Sequence, residues 1–259
     1  MPVRMTLPPT LAERLAASDR SLVGMWVCSG SALNAEIAAG SGLDIVLIDA
    51  EHSPNDLTSI LAQLHAVAAY PVAPLVRPPF GDPVVIKQYL DVGVQNLLVP
   101  MVDSPEQAAE LVRAVRYPPE GVRGVGSALA RSSRWNRVPG YLADAAGTVS
   151  LFVQVESAAA VACVEEIVAV DGVDGILVGP ADLAASMGHL GEQDHPEVVD
   201  AVIRSIRAAG SVGKPAGVNA FAPDAADRYR EAGAAFVLVG ADVALLARAS
   251  EALAERFIG

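Results

Sequence analysis

Asp49, Glu51 and His52 sit together in the stretch "DAEHSPN", directly after the apolar run "IVLI". Two carboxylates beside an imidazole can act as a general base with its orienting partner, as part of a metal site, or as an ordinary polar loop. Other polar residues occupy comparable places. Arg77 closes "APLVR", Gln154 and Glu156 close "LFVQVES", and Asp182 follows the Gly179–Pro180 turn of "GILVGPADL". In "LFVQVES" the strand period of two puts Phe152, Gln154 and Glu156 on one face.

Each residue has a plain alternative. Glu156 can be a satisfied polar group at a strand end, and Asp182 a cap for the helix begun by "ADLAAS". Arg77 can pair with Asp49 or Asp82 as a structural bridge, and His52 can simply begin a loop. One shared site explains all four placements together, where the plain readings need four separate accidents.

Two carboxylates without a nearby cysteine or second histidine suit a hard divalent ion, Mg²⁺ or Mn²⁺, that keeps positions open for substrate oxygens. Zn²⁺ and Co²⁺ are secondary choices, since zinc prefers more nitrogen or sulfur. A 2-keto acid offers a carboxylate and a carbonyl oxygen to such an ion, and Arg77 would share the charge of its enolate. Free N–H groups after Gly179–Pro180 would receive the substrate carboxylate. His52, oriented by Asp49, would move protons. Only two lysines occur, Lys87 in a helical run and Lys214 before a strand. A Schiff-base mechanism, which needs a lysine at the mouth, is disfavoured, and no organic cofactor is expected.

These residues must be carried by the elements around them. Eight short, continuous apolar runs alternate with Ala- and Leu-rich helical stretches: Gly24–Cys28, Ile45–Asp49, Ala73–Arg77, Asn96–Pro100, Leu151–Val155, Gly175–Gly179, Pro215–Asn219 and Phe236–Gly240. Continuous apolar runs are expected of parallel strands covered on both faces. Eight such units in 259 residues predict a single (β/α)8 TIM barrel spanning 1–259. An open doubly wound sheet is disfavoured because no GxGxxG follows the first strand. In a barrel, chemistry sits at the C-terminal ends of the strands, where these polar residues fall. The segment 117–148 is too polar and Gly-rich for one regular element; it either crosses the barrel or meets a neighbouring subunit.

A net charge of −12 argues against nucleic acid or an anionic membrane as partner. No run is long and apolar enough to span a bilayer, and the first residues do not read as a signal peptide. Cys28 and Cys163 are expected to be buried, reduced thiols. A cytoplasmic protein is expected.

The sequence resembles the metal-dependent (class II) pyruvate aldolases of the 4-hydroxy-2-oxoheptane-1,7-dioate aldolase family, which include 2-keto-3-deoxy-sugar-acid aldolases. The resemblance rests on "LIDAEHSPN", "DPVVIKQYLDVGVQNLLVPMV", "RYPPEGVRGVGSALARSSRWNR", "VQVES", "VDGILVGPADLAASMG" and "FVLVGAD", in order along nearly the whole chain. It implies that Glu156 and Asp182 are the metal ligands, Arg77 the enolate-stabilising arginine, and His52 with Asp49 the proton shuttle. Glu51 would hold a metal-bound water. Trp26, Gln154 and Leu177 would line the pocket, and Gly179, Pro180, Ala181 and Asp182 would hold the pyruvate carboxylate. It also implies a hexamer in which the last helix packs on a neighbouring subunit. Departures at "AGVNAFAPD", at Ser31 to Ala35 and at Leu177 border the pocket and bear on which aldehyde is taken.

The expected reaction is reversible cleavage of a 4-hydroxy-2-keto acid to pyruvate and an aldehyde. The nearest rival is an acyl-CoA lyase of the citramalyl- or malyl-CoA type using the same metal site. A phosphosugar isomerase-type barrel and a non-catalytic ligand sensor are more distant.

Overall fold

Eight parallel strands close on themselves in chain order: β1 (Leu22–Val27), β2 (Ile45–Asp49), β3 (Ala73–Arg77), β4 (Asn96–Val99), β5 (Ser150–Val155), β6 (Gly175–Val178), β7 (Ala216–Asn219) and β8 (Phe236–Ala241). This computed structural model describes residues 3–259. Each strand pairs in parallel with the next, and β8 returns to β1, which makes the predicted (β/α)8 barrel. The expected strands are all present: β2 and β3 keep their expected bounds, and the others shift by one or two residues at an end.

Alternate residues of each strand point inward. Trp26, Ile45, Leu47, Leu75, Leu98, Phe152, Leu177, Phe236 and Leu238 form one buried cluster inside the barrel. Phe152 and Phe236 meet edge to face with centroids 5.8 Å apart. Glycines make room for them: a Cβ on Gly175 would lie 2.6 Å from the Phe152 ring, and one on Gly217 would run into Phe236. The opposite faces of the strands build a larger core against the surrounding helices, led by Val76, Leu97, Val153 and Ile176.

The N-terminal end of the barrel is closed by a short helix, Leu11–Ala17. Thr10 opens it in a reciprocal capping box with Glu13. Leu11 N–H donates to Asn96 Oδ1 at 2.6 Å and Ala12 N–H to Ser150 Oγ at 3.2 Å, so the polar residues beginning β4 and β5 hold this plug. The segment 117–148 is anchored at the same end. Arg131 Nη1 reaches the Val92 carbonyl, and Gln95 Nε2 the Thr148 carbonyl, just before β4. It therefore does not cross the mouth of the barrel.

Helix starts follow ordinary punctuation. Asp82 and Ser104 cap helices whose next residue is proline, and Asp56 opens Leu57–Val67 through a capping box with Ser59. Both cysteines are free, and each is only partly buried rather than buried as expected. The last helix, Asp242–Ile258, differs from the others because none of its residues is buried. Leu245, Leu246, Leu253, Phe257 and Ile258 are all exposed on it. No described helix is long and apolar enough to cross a membrane.

Candidate active site

The C-terminal ends of the strands bring the polar residues together. β2 and β3 pair so that Asp49 and Arg77 are register partners, and both side chains are buried. Arg77 Nε donates to Asp49 Oδ1 at 2.8 Å. Its Nη1 lies 2.8 Å from Glu51 Oε2 in an ion pair. The guanidinium also packs 4.4 Å above the Trp26 ring. Three contacts therefore fix its plane, while Nη2 has no partner among the described residues.

Asp49 is heavily engaged. Besides Arg77 it accepts from the backbone N–H of Glu51 and His52 and from Ser53 Oγ. Burial alone would raise its pKa, but the Arg77 hydrogen bond and charge, with Glu51 N–H and Ser53, hold it below the ordinary aspartate range. These bonds leave no Asp49 contact to the imidazole, so the expected orienting pair does not form. The His52 ring instead has Nε2 3.7 Å from Glu51 Oε2, and its side chain is 66% exposed at the mouth. Glu51 is pushed upward chiefly by burial, against the pull of Arg77 and His52.

Glu156, just past β5, is buried. Its Oε1 accepts from Met101 N–H at 2.8 Å, and Oε2 accepts from Gln154 Nε2. Burial first, then the nearby Asp182 and Glu51, push this carboxyl up to about 7 despite the Met101 and Gln154 bonds. Gln154 Oε1 is buried without a partner. Gly179 stands against this pair: a Cβ there would lie 2.8 Å from Glu156 Oε2 and 3.0 Å from Gln154 Nε2. Asp182 is the third residue of the helix Pro180–Ser186, whose N-cap is Gly179, so it does not cap that helix. Gly179 N–H is taken by the Val155 carbonyl and Pro180 has none. The donors left free in this turn are those of Ala181 and Asp182.

A divalent cation fits this donor set. Its charge would offset the cost of ionising buried Glu156 beside two other carboxylates, and the ligands on offer are all oxygen. Among the described residues a tighter cluster occurs elsewhere, at His189, Glu192 and His195, with ligand atoms within 4.8 Å of one another. There the two rings stack at 3.6 Å and 16°, so the ring planes that hold their lone pairs lie nearly parallel instead of converging on one ion. His195 already caps the next helix and His189 already pairs with Glu197.

A cavity of about 310 Å³ lies over the site, lined by Trp26, Asp49, His52, Arg77, Gln154 and Asp182 among others. Larger clefts lie at the outer helices and at the N-terminal end, where no such set of groups converges. Leu177 and Gly179 also face the cavity. Cys28 lines it too, and burial pushes its thiol up, away from nucleophilic chemistry. The residue reading missed Asn219, whose Oδ1 accepts from Trp26 Nε1 at 2.8 Å. Its inward parity with Gly217 at the end of β7 was the available signal.

Relatives share both this fold and its length. A "hydroxypyruvate/pyruvate aldolase" of Deinococcus radiodurans is 54% identical over 259 residues, covering 99% of this chain and 94% of that protein. A "4-hydroxy-2-oxo-heptane-1,7-dioate aldolase" of Shigella sonnei is 52% identical over 240 residues, covering 93% and 92%. Among solved structures, an HpcH/HpaI aldolase/citrate lyase family protein from Burkholderia cenocepacia superposes with a TM-score of 0.91 at 41% identity, covering 96% of this chain and 99% of that one. Residues 22–249 match the HpcH/HpaI aldolase/citrate lyase family, and the chain belongs to it.

Proposed function

We propose that this protein is a metal-dependent aldolase that reversibly cleaves a 4-hydroxy-2-keto acid into pyruvate and an aldehyde. The observation that carries the reading is the fixed guanidinium of Arg77, with Nη2 open, in the same cavity as Asp182 and next to Glu156. Glu156 and Asp182 would hold Mg²⁺ or Mn²⁺, which when bound supplies a Lewis acid for the 2-keto oxygen. Ala181 and Asp182 N–H would receive the substrate carboxylate.

In the cleavage direction His52, backed by Glu51, takes the C4 hydroxyl proton. The C3–C4 bond breaks as the C4 oxygen closes the aldehyde carbonyl; its electron pair becomes the C2–C3 double bond, the C2 carbonyl pair moves onto oxygen, and the aldehyde departs. Arg77 stabilises the enolate charge, already oriented by Asp49, Glu51 and Trp26. A proton delivered to C3 completes pyruvate. Relatives sharing about half the residues carry aldolase names, so the acyl-CoA lyase reading is not favoured.

The experiment is loss of the pyruvate methyl signal in D₂O by proton NMR, with Mg²⁺ or Mn²⁺ and then with excess chelator. Metal-dependent exchange is expected, and Glu156→Ala and Asp182→Ala should abolish it. Full exchange in both variants would refute the ligand assignment. The reading extends to a single barrel unit over 1–259, a cytoplasmic setting, and a homo-oligomer, a hexamer, in which the exposed last helix is covered by a neighbouring subunit.

A further inference from the structure

The chain bends sharply where it leaves β4. Met101 has a φ of 55°, in the left-handed region that residues with a Cβ seldom occupy. Among the described residues the other non-glycines with positive φ are Arg134, Trp135 and Asn136, consecutive in a turn of the segment 117–148. Of these four, Met101 alone stands at the mouth of the barrel. Its side chain gives no reason for the conformation, because it is 53% exposed.

The hydrogen bonds of its backbone do give one. Val99 is the last residue of β4 and Pro100 has no N–H, so Met101 carries the first donor beyond the strand. That N–H goes to Glu156 Oε1 at 2.8 Å, and the next one, from Val102, goes to the Gln154 carbonyl at 3.3 Å. In extended backbone successive N–H groups point to opposite sides; a left-handed residue between them turns both toward the exit of β5. The stretch stays fastened there. Ser157 Oγ donates to Asp103 Oδ1, and Cys163 Sγ to the Asp103 carbonyl at 3.3 Å. Residues 101–103 thus run along the end of β5 as a clamp. Glu156 is the carboxylate it holds, and Met101 is its one main-chain donor among the described residues.

Building on the reading of Glu156 as a metal ligand, we propose that Met101 is a positioning residue for the metal centre. Its left-handed backbone aims the N–H that fixes the Glu156 carboxylate for the cation, and its side chain plays no part. A sparsely populated backbone conformation persists where the surrounding structure imposes it. Loss of the hydrogen bond behind a metal ligand typically weakens metal binding by about ten- to a hundredfold.

The test is calorimetric titration with Mn²⁺ of wild type, Met101→Gly, Met101→Asn, Met101→Val and Met101→Thr, with the melting temperature of each as a check on folding. Glycine and asparagine accept positive φ, whereas β-branched residues resist it. Met101→Gly and Met101→Asn should bind Mn²⁺ within about twofold of wild type, and Met101→Val and Met101→Thr about tenfold more weakly. Packing of the side chain would give the opposite order, because Met101→Val keeps an apolar group and Met101→Gly removes it. That order, or one affinity shared by all four variants, overturns the assignment. Should the β-branched variants not fold, Met101→Gly decides: retained affinity upholds the backbone role and a tenfold loss overturns it. Wild type that binds Mn²⁺ no better than Glu156→Ala brings down the ligand reading itself, and this proposal with it.

Discussion

Asp49 and Arg77 are paired twice, once by backbone register between β2 and β3 and once by the 2.8 Å bond from Arg77 Nε to Asp49 Oδ1. The two side chains are 2% and 6% exposed, so the pair is an internal one. Removing one partner of a buried pair leaves an uncompensated charge, which is costly. Asp49→Ala is expected to lose roughly 3 kcal/mol of stability in denaturant unfolding, moderated by the Glu51 contact that survives. A double-mutant cycle with Arg77→Met should give a coupling of at least ~1 kcal/mol. A coupling near zero would mean that Asp49 acts through its loop bonds and not through Arg77.

Glu156 predicts an unusual pH response in metal-free protein. Its carboxyl is raised from 4.5 to about 7 by burial, with Asp182 and Glu51 adding to the effect. The folded chain then keeps a proton that the unfolded chain has released. The resulting stability is fully present below the unfolded value and is lost as pH rises through 7. At ~1.4 kcal/mol per pKa unit the loss is roughly 3.5 kcal/mol at most. Melting temperature should fall across this window without metal, and Mn²⁺ should restore it at the alkaline end. Glu156→Gln should flatten the slope; an unaltered slope would assign it to another group.

Gly179 is required by proximity, not by backbone conformation. A methyl group there would press on Glu156 Oε2 at 2.8 Å and on Gln154 Nε2 at 3.0 Å. Gly179→Ala should displace the carboxylate and weaken Mn²⁺ binding by about tenfold, with a modest loss of stability typical of overpacking. Calorimetric titration measures it directly, and an unchanged Kd would show that Glu156 is not a ligand.

The last helix should govern assembly. Leu246 is 63% and Leu253 59% exposed, so charging them costs an isolated subunit little. The double substitution Leu246→Glu, Leu253→Glu should reduce the particle mass in light scattering while leaving the far-ultraviolet circular dichroism spectrum intact. A mass equal to that of wild type would place the subunit contact elsewhere.

The barrel was legible because each strand is a nearly unbroken apolar run, with β2 and β3 matching their expected bounds residue for residue. The carboxylates were legible from strand parity: Gln154 and Glu156 do share a face and do touch. What escaped were contacts between distant strands. Trp26 and Asn219 are 193 residues apart, and no local pattern joins them. The His52 partner was misread because Asp49 and Glu51 both lie within one turn of the same loop, three residues and one residue away, and spacing alone does not choose between them. The bonds to Asp49 from Ser53 and two backbone N–H groups depend on the loop's folded turn, and the one from Arg77 exists only once β2 and β3 are paired.

The stacking of Trp26 on Arg77 also gives the protein an internal optical gauge. Its one other tryptophan, Trp135, is 52% exposed on the far segment, whereas Trp26 is 7% exposed against a cation at 4.4 Å. With Trp135→Phe, the remaining emission comes from the indole that touches both Arg77 and Asn219. Anything that seats an anion on Arg77, or turns the Asn219 amide, alters the field at that fluorophore, so occupancy of the cavity can be followed in real time without a label, a coupled enzyme or turnover.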